Sequence, residues 1–355
     1  MPSFKPPRCP NADCPRHTDP QPRFYRRRGS YWPKCRAAPI PRYHCKSCSR
    51  SFSRQTFRHD YRDHRPELNE SLFLLLSSGV GLRQCSRLLR SGVRCPQQKL
   101  AKMGRTLALL RDNLCPRLAG GRVFVMDEEE TYEGASIRPL TMPVVIDRET
   151  WFVVAVDVGS IRRLARRGTR RRELQDQEEA KNGRRQDQSR ACTERVLRVL
   201  AAKCPAGDLL LQTDKKSSYA TLAKRIFGDR LKHETTSSRR VRDKHNPLFP
   251  INVTLAMSRD NCGRLRRKSW LVTKCAPRLL DHAQLFAVYR NFVRRRFNHD
   301  KENETPAKLL GLVPRNLAAA EVLAWRQDWG DRSIHPMSKR GAHTVLFPMA
   351  AFPSR

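Results

Sequence analysis

The chain has 355 residues, with 71 Lys and Arg against 34 Asp and Glu, so its formal net charge at pH 7 is +37. Its 39% of hydrophobic residues suffices for a buried core, no apolar run approaches the roughly 18 residues of a membrane span, and the N-terminus lacks the apolar segment of a secretion signal. Global disorder, membrane insertion and secretion are therefore disfavoured, and we expect a cytoplasmic protein. The charge predicts a polyanionic partner, most commonly nucleic acid, with a solubilising basic surface as the alternative.

Two close pairs of cysteines lie near the N-terminus. Cys9 and Cys14 flank four residues, and Cys45 and Cys48 flank two. Two such pairs separated by a loop can place four thiolates around one tetrahedral Zn²⁺, and the metal replaces the core that so short a segment cannot supply. The spacing predicts a zinc-ribbon module over residues 1–60, with free thiols in a reducing compartment as the alternative.

The segment between the two pairs combines basic and aromatic residues. It contains Arg26, Arg27 and Arg28, tyrosine and tryptophan side chains, and a fifth cysteine, Cys35, as an alternative zinc ligand. Interleaved basic and aromatic residues suit a hairpin that contacts nucleic acid. The alternative is that the aromatic rings pack the small module.

Residues 66–115 have the apolar spacing of helices interrupted by glycine-containing turns. A short helix, a turn around Ser91 and Gly92, and a longer helix from Gln97 follow the order of a helix-turn-helix unit, which we assign to residues 61–118. A plain helical linker is the alternative. The candidate DNA contacts of this unit are Gln97, Gln98, Lys99, Lys102 and Arg105.

From residue 119 onwards, strands alternate with helices. VFVMD (123–127), PVVID (143–147) and WFVVAVDV (151–158) predict three adjacent strands, the last two paired as a hairpin. An arginine-rich insertion at about 160–190 is expected to be helical or disordered. The remaining predicted elements are a helix over 193–203, a strand over 208–214, a helix over 217–228, and mostly helical segments over 251–274 and 282–297.

Three strands, a helix, a strand and a helix are the element order of an RNase H-like α/β fold, in which the first and fourth strands are central neighbours. Asp127 and Asp214 end these two strands. Adjacent carboxylates are tolerated around cations, and Mg²⁺ prefers oxygen ligands and serves phosphoryl transfer. Each Asp alone is explained as a polar strand terminus, whereas the two together predict a metal site.

Three sequence blocks carry a resemblance. They are MDEEETYEGA (126–135), QTDKKSSY (212–219) and RDNCGRLRRKSWLVTK (259–274). They are similar to the Asp-Glu-aromatic-Gly block, the Thr-Asp with a downstream Tyr, and the Arg-rich helix before a Ser-containing turn of DDE transposases of the insertion-sequence-one family and its relatives. The chain resembles this family over most of residues 9–298.

The resemblance implies a multidomain transposase with an RNase H-like catalytic domain over residues 119–300 and a C-terminal tail over 301–355. Asp127 and Asp214 would hold Mg²⁺ or Mn²⁺ for DNA cleavage and strand transfer, on double-stranded DNA of the element's terminal repeats and of the target. A homo-oligomer on paired ends is also implied. Basic residues expected along DNA phosphates, or alternatively forming a solvated basic face, are Arg259, Arg264, Arg266, Arg267 and Lys268.

The third catalytic position departs from the family pattern. Counting back from RLRRK, the family's Glu falls on Asn252, a neutral residue and a poor Mg²⁺ ligand. Asp260, the provisional third acid, lies eight residues on and about 80° round the helix. A subgroup with a shifted acid and a decayed or domesticated copy that acts as a DNA-binding repressor both agree with this pattern.

Overall fold

The computed structural model describes residues 4–33, 38–237, 239–241, 243–298, 300 and 303–326. In chain order these residues form a small antiparallel sheet, three helices, and a larger mixed sheet with helices packed against it. No helix among them is both long enough and apolar enough to cross a membrane.

The N-terminal module is a three-stranded antiparallel sheet with strands in sequential order. Phe24, Phe52 and Phe57 form its small core together with the cysteines, and the ring of Tyr25 packs edge-on against Phe24. Some of the aromatic residues therefore pack the module. This agrees with the predicted alternative to a nucleic-acid contact. Its elements are helix α1 (Pro15–Thr18) and strands β1 (Tyr25–Tyr31), β2 (Ile40–Cys45) and β3 (Ser51–Ser53).

Three helices follow, with a turn between the second and the third as predicted. They are α2 (Asn69–Leu76), α3 (Leu82–Leu88) and α4 (Arg94–Leu114). Phe73, Leu100 and Leu107 from these helices share one continuous apolar cluster with residues of the larger sheet. The predicted helix-turn-helix unit thus has no core of its own in the described residues.

The larger sheet has six strands in the described residues. They are β4 (Val123–Tyr132), β5 (Pro139–Asp147), β6 (Val153–Val156), β7 (Gly159–Ser160), β8 (Leu209–Asp214) and β9 (Leu231–Thr236). Their order across the sheet is β6-β5-β4-β8-β9, with β7 paired to β5. Neighbours β4, β8 and β9 are parallel, while β4-β5 and β5-β6 are antiparallel.

The predicted hairpin, β5-β6, and the predicted neighbours β4 and β8 are confirmed. Strand β9 was not predicted because its half-exposed, charged sequence LKHETT lacks an apolar run.

The helices of this half differ from prediction mainly at 251–274. The helix there ends at Asn261, a short 3₁₀ turn covers Gly263–Leu265, and an irregular loop follows, so Arg259 is the one predicted phosphate contact of this segment that lies on the helix. The arginine-rich insertion is helical. The helices are α5 (Arg170–Asn182), α6 (Ser189–Lys203), α7 (Ser217–Phe227), α8 (Phe249–Asn261), α9 (Ala276–Val288), which continues as a π-helical turn over Tyr289–Val293, α10 (Pro306–Leu309) and α11 (Ala319–Ala324).

Each face of the larger sheet has its own apolar core. Along β4, Phe124 and Met126 face the cluster shared with α2, α4, α6 and α7, whereas Val125 faces a second cluster with α8 and α9. Side chains alternate along a strand, so Asp127 and Glu129 lie on the Val125 side, towards α8.

Residues 303–326, which we expected to belong to a C-terminal tail, pack into the first core. Ala307, Leu317, Val322 and Trp325 are buried there. Their apolar side chains find a continuous buried surface against α2 and α4, and this explains why the segment does not extend into solvent.

Candidate functional site

The four predicted zinc ligands converge in the N-terminal module. Cys9 Sγ lies 3.5 Å from Cys48 Sγ, and Cys14 Sγ lies 3.8 Å from Cys45 Sγ. All four sulfurs lie within 4.8 Å of one another. Sulfurs bound at about 2.3 Å to a tetrahedral Zn²⁺ would be about 3.8 Å apart, so these residues fit a metal such as zinc.

Local backbone structure positions the cysteines. Cys45 ends β2, and the turn after it is closed by the Ser49 N–H, which donates to the Cys45 carbonyl at 3.0 Å. Burial raises the pKa of the Cys48 thiol, but a hydrogen bond from the Arg50 N–H and contacts with the other thiols outweigh it and lower the pKa to about 7. Cys35, the alternative ligand, lies outside the described residues.

Asp127 and Asp214 lie on neighbouring central strands of the larger sheet. Val125 pairs with Gln212 at the end of the parallel β4-β8 ladder, and each Asp follows two residues later on the same face. Asp214 ends β8 as predicted, whereas β4 continues to Tyr132, so Asp127 lies within its strand and not at the predicted end. Neighbouring strands are about 4.8 Å apart, and residues at one level of a parallel pair share a face. Both residues are half-buried.

Both carboxylates of this pair accept backbone hydrogen bonds. One Asp127 oxygen accepts the Glu128 N–H at 2.7 Å, and one Asp214 oxygen accepts the Lys216 N–H at 3.0 Å. Burial raises the pKa of the Tyr219 phenol, and the negative charges of Glu128, Asp127 and Asp214 add to that shift. Carboxylate oxygens are the ligands that Mg²⁺ prefers.

A third carboxylate does not join the pair at close range. Apart from the four cysteines, no three His, Cys, Asp or Glu side chains of the described residues bring their ligand atoms within 4.8 Å of one another. Asp260 is exposed on α8, and its backbone carbonyl accepts a hydrogen bond from Arg266 at 3.1 Å. Its role as third acid stays a prediction.

Asn252 lies on a flank of α8, beside the buried face that packs on the sheet. Arg259 of the same helix forms an ion pair with Glu129 of β4. Asn252 is seven residues earlier, only about 20° short of two full turns, and therefore shares that side. Asp260 is turned about 100° away from Arg259.

Glu129 is a central residue that sequence reasoning missed. It is 2% exposed and binds two arginines, Arg259 and, at 2.9 Å, Arg267. It follows Asp127 by two residues and shares its face of the strand. The alternation within DEEE could have indicated this, since every second residue of a strand has the same side.

Glu128 points to the opposite face and connects β4 with β5, α6 and α7. Its carboxylate accepts hydrogen bonds from Thr141 at 2.6 Å, from Tyr219 and Lys216 at 2.8 Å and from Thr193 at 3.2 Å. Burial raises its pKa, but the bonds from Lys216, Thr141 and Tyr219 outweigh the burial and lower the pKa below its ordinary value. Lys216 and Tyr219 follow Asp214 closely along the chain, so Glu128 anchors the segment next to Asp214.

The predicted DNA contacts fall into two groups. Lys99 is wrong as a surface contact: its side chain is 4% exposed and its ammonium binds Asp63, because α4 packs this side inwards. Lys102 donates to the Tyr61 carbonyl, Arg264 donates to Thr273, and half-buried Arg259 pairs with Glu129. The exposed candidates are Arg26, Arg27, Arg28, Gln97, Gln98, Arg105, Arg266, Arg267 and Lys268.

Comparison with known proteins adds no assignment, since no protein-family model matches the chain and no curated protein matches it significantly.

Proposed function

We propose that the protein is a DNA transposase with an RNase H-like catalytic domain and an N-terminal zinc ribbon. The observation that supports the proposal is that Asp127 and Asp214 lie on one face of neighbouring parallel strands, each two residues beyond the paired Val125 and Gln212. The strand order supports it, because three antiparallel strands followed by two parallel additions beside the first strand are the arrangement of RNase H-like sheets.

The DNA-binding part of the proposal rests on charge and exposure. The net charge is +37, and Arg26, Arg27 and Arg28 are exposed along β1 of the cysteine-bearing module. Gln97 and Arg105 are exposed on α4. Exposed cations neutralise DNA phosphates, whereas side-chain amides can read base edges.

In this mechanism Asp127 and Asp214 would hold Mg²⁺ or Mn²⁺, which would supply Lewis-acid chemistry at the phosphoryl group. Glu128 positions Lys216 and Tyr219, and through them the chain segment of Asp214. Arg267, half-exposed beside Glu129, presents a guanidinium that can bind a DNA phosphate. A homo-oligomer that pairs the two DNA ends belongs to the same proposal.

The test is a strand-transfer assay with purified protein, Mg²⁺ and DNA taken from the flanks of the gene. We expect Asp127→Ala and Asp214→Ala to abolish joining while duplex binding is retained, because the lost groups hold the metal and not the DNA. Asp208→Ala is the matched control, since this exposed residue precedes the opposite end of β8. Joining by either active-site variant at the wild-type rate would refute the assignment.

A second function, DNA binding without catalysis, is favoured by Asn252. This neutral side chain lies on the same flank of α8 as Arg259, and the Glu129 carboxylate that Arg259 binds is held by two arginines. If the third ligand alone has been lost, Asn252→Glu should raise joining above the wild-type level. If wild type and Asn252→Glu both fail to join DNA that they bind, the repressor function is the better description.

A further inference from the structure

Trp270 is the most exposed large hydrophobic side chain in the described part of the chain. Its relative exposure is 93%, and it lies in the irregular loop that follows α8. Leaving an indole in water forgoes the free energy of burying a large apolar surface. An indole this exposed is available to stack on a ligand.

The root of this loop is fixed. Leu271, the next residue, packs so tightly on Gly81 and Gly263 that a side chain at Gly81 would collide with it. The Gly134 N–H donates to the Thr273 carbonyl at 2.7 Å. Trp270 is thus presented at the tip of a loop whose base is anchored.

The loop also lies beside the carboxylate pair. Arg267, three residues before Trp270, forms an ion pair with Glu129 at 2.9 Å, and Glu129 is two residues beyond Asp127 on the same strand face. A ligand held by this loop would therefore lie near Asp127.

The charge around Trp270 selects an anionic ligand. Residues 264–274 carry five cations and no acid. Of these, Arg266, Lys268 and Lys274 form no ion pair within the described residues, and Lys274 Nζ lies 6.0 Å from the centre of the indole ring. A protein partner with an apolar face would not require this density of positive charge.

We propose that the Trp270 loop binds an unpaired DNA base, with the indole stacked on the base and the neighbouring cations on its phosphates. Aromatic rings stack on bases of any sequence, and cations beside them hold the backbone. Within a duplex the faces of a base are covered by its neighbours, so the site favours single strands or a base turned out of the helix. The inference rests on the DNA-binding part of the proposed function and not on catalysis.

The experiment measures binding of the full-length protein to a labelled single-stranded oligonucleotide and to its duplex, in EDTA so that cleavage is excluded. We expect Trp270→Ala to weaken single-strand binding by roughly 5- to 150-fold and duplex binding much less, the range that loss of one stacked base gives. The dependence of affinity on salt should not change, because no cation is removed. Trp270→Phe should restore most of the affinity, and Leu174→Ala, at another exposed apolar position, is the matched control.

A 2-aminopurine in the single strand supplies a second measurement. Its fluorescence should fall on binding to wild type and to Trp270→Phe, and should fall less with Trp270→Ala. Single-strand affinity equal to wild type in Trp270→Ala, or an equal loss for single strand and duplex, would overturn the proposal. Trp270-dependent single-strand binding without strand transfer would leave this inference standing while the catalytic proposal fails.

Discussion

His282 shows how one buried side chain couples stability to pH. It lies on α9 at 1% exposure, and its Nε2 donates to the Leu76 carbonyl at 3.0 Å. Nδ1 is buried with no hydrogen-bond partner among the described residues. Burial, together with the charge of Arg264, lowers the pKa of the imidazole to about 4. A proton on Nδ1 would have no acceptor, so the neutral ring is the folded form.

The sign of the pH dependence follows from this shift. Between the ordinary value of 6.5 and about 4, the unfolded chain binds a proton at His282 that the folded chain does not. Stability is therefore complete above pH 6.5 and is lost as pH falls towards 4, by at most about 3 kcal/mol for this residue. Denaturant unfolding between pH 7 and 4.5 measures the slope.

Substitution assigns the slope to this residue. His282→Gln keeps a donor near the Leu76 carbonyl but cannot titrate, so its unfolding free energy should depend less on pH than that of wild type. Burial also lowers the pKa of His59 to about 4, so His59 still contributes to the pH dependence of the variant. Exposed His64→Gln is the control, and a variant that keeps the full wild-type slope would contradict the assignment.

At the scale of elements, the N-terminal module depends on its cysteine cluster. Its apolar core contains few side chains beyond Phe24, Phe52 and Phe57. An isolated core of this size supplies little folding free energy, so we expect a bound metal to supply most of the stability of the module.

We expect about one zinc per chain in the purified protein, as measured by elemental analysis. Cys45→Ser with Cys48→Ser should remove it and abolish the near-UV circular dichroism of the packed tyrosines in the module. Half-buried Cys95, on α4, lies outside the cluster, so Cys95→Ser should retain the metal. A zinc-free protein whose module stays folded would refute the metal site.

At the scale of the whole molecule, the three helices, the larger sheet and residues 303–326 share one apolar cluster. Val322, on α11, is 1% exposed within it. Because the cluster is continuous, damage at α11 should destabilise the sheet as well as the segment that carries it.

Val322→Asp places an unpaired charge in this cluster, and we expect it to lower the free energy of unfolding by about 3–5 kcal/mol. Ala324→Asp, at an exposed position two residues on, should have little effect. Urea unfolding followed by circular dichroism compares the two variants. Equal stability of Val322→Asp and wild type would show that this segment does not contribute to the core.

The long strands of the larger sheet, most helices and the cysteine cluster could be predicted because each has a local signal in the sequence. Alternating or continuous apolar runs predict strands, and cysteine spacing is set by metal geometry. The edge strand β9 and the end of α8 were missed because neither has such a signal. Strand β9 is half-exposed. Helix α8 ends before an arginine-rich loop, and Arg267 of this loop pairs with Glu129 of another element.

The sequence by itself determined the charge, the four converging cysteines, and the neighbouring strands that carry Asp127 and Asp214. Only the tertiary structure decided that Lys99 is buried against Asp63, that Glu129 is held by two arginines, and that Trp270 stands exposed beside them. The physical reason is that spacing along the chain encodes local periodicity and metal geometry. Which charges pair and which side chains stay exposed depends on residues more than 100 positions apart, such as Glu129 and Arg267.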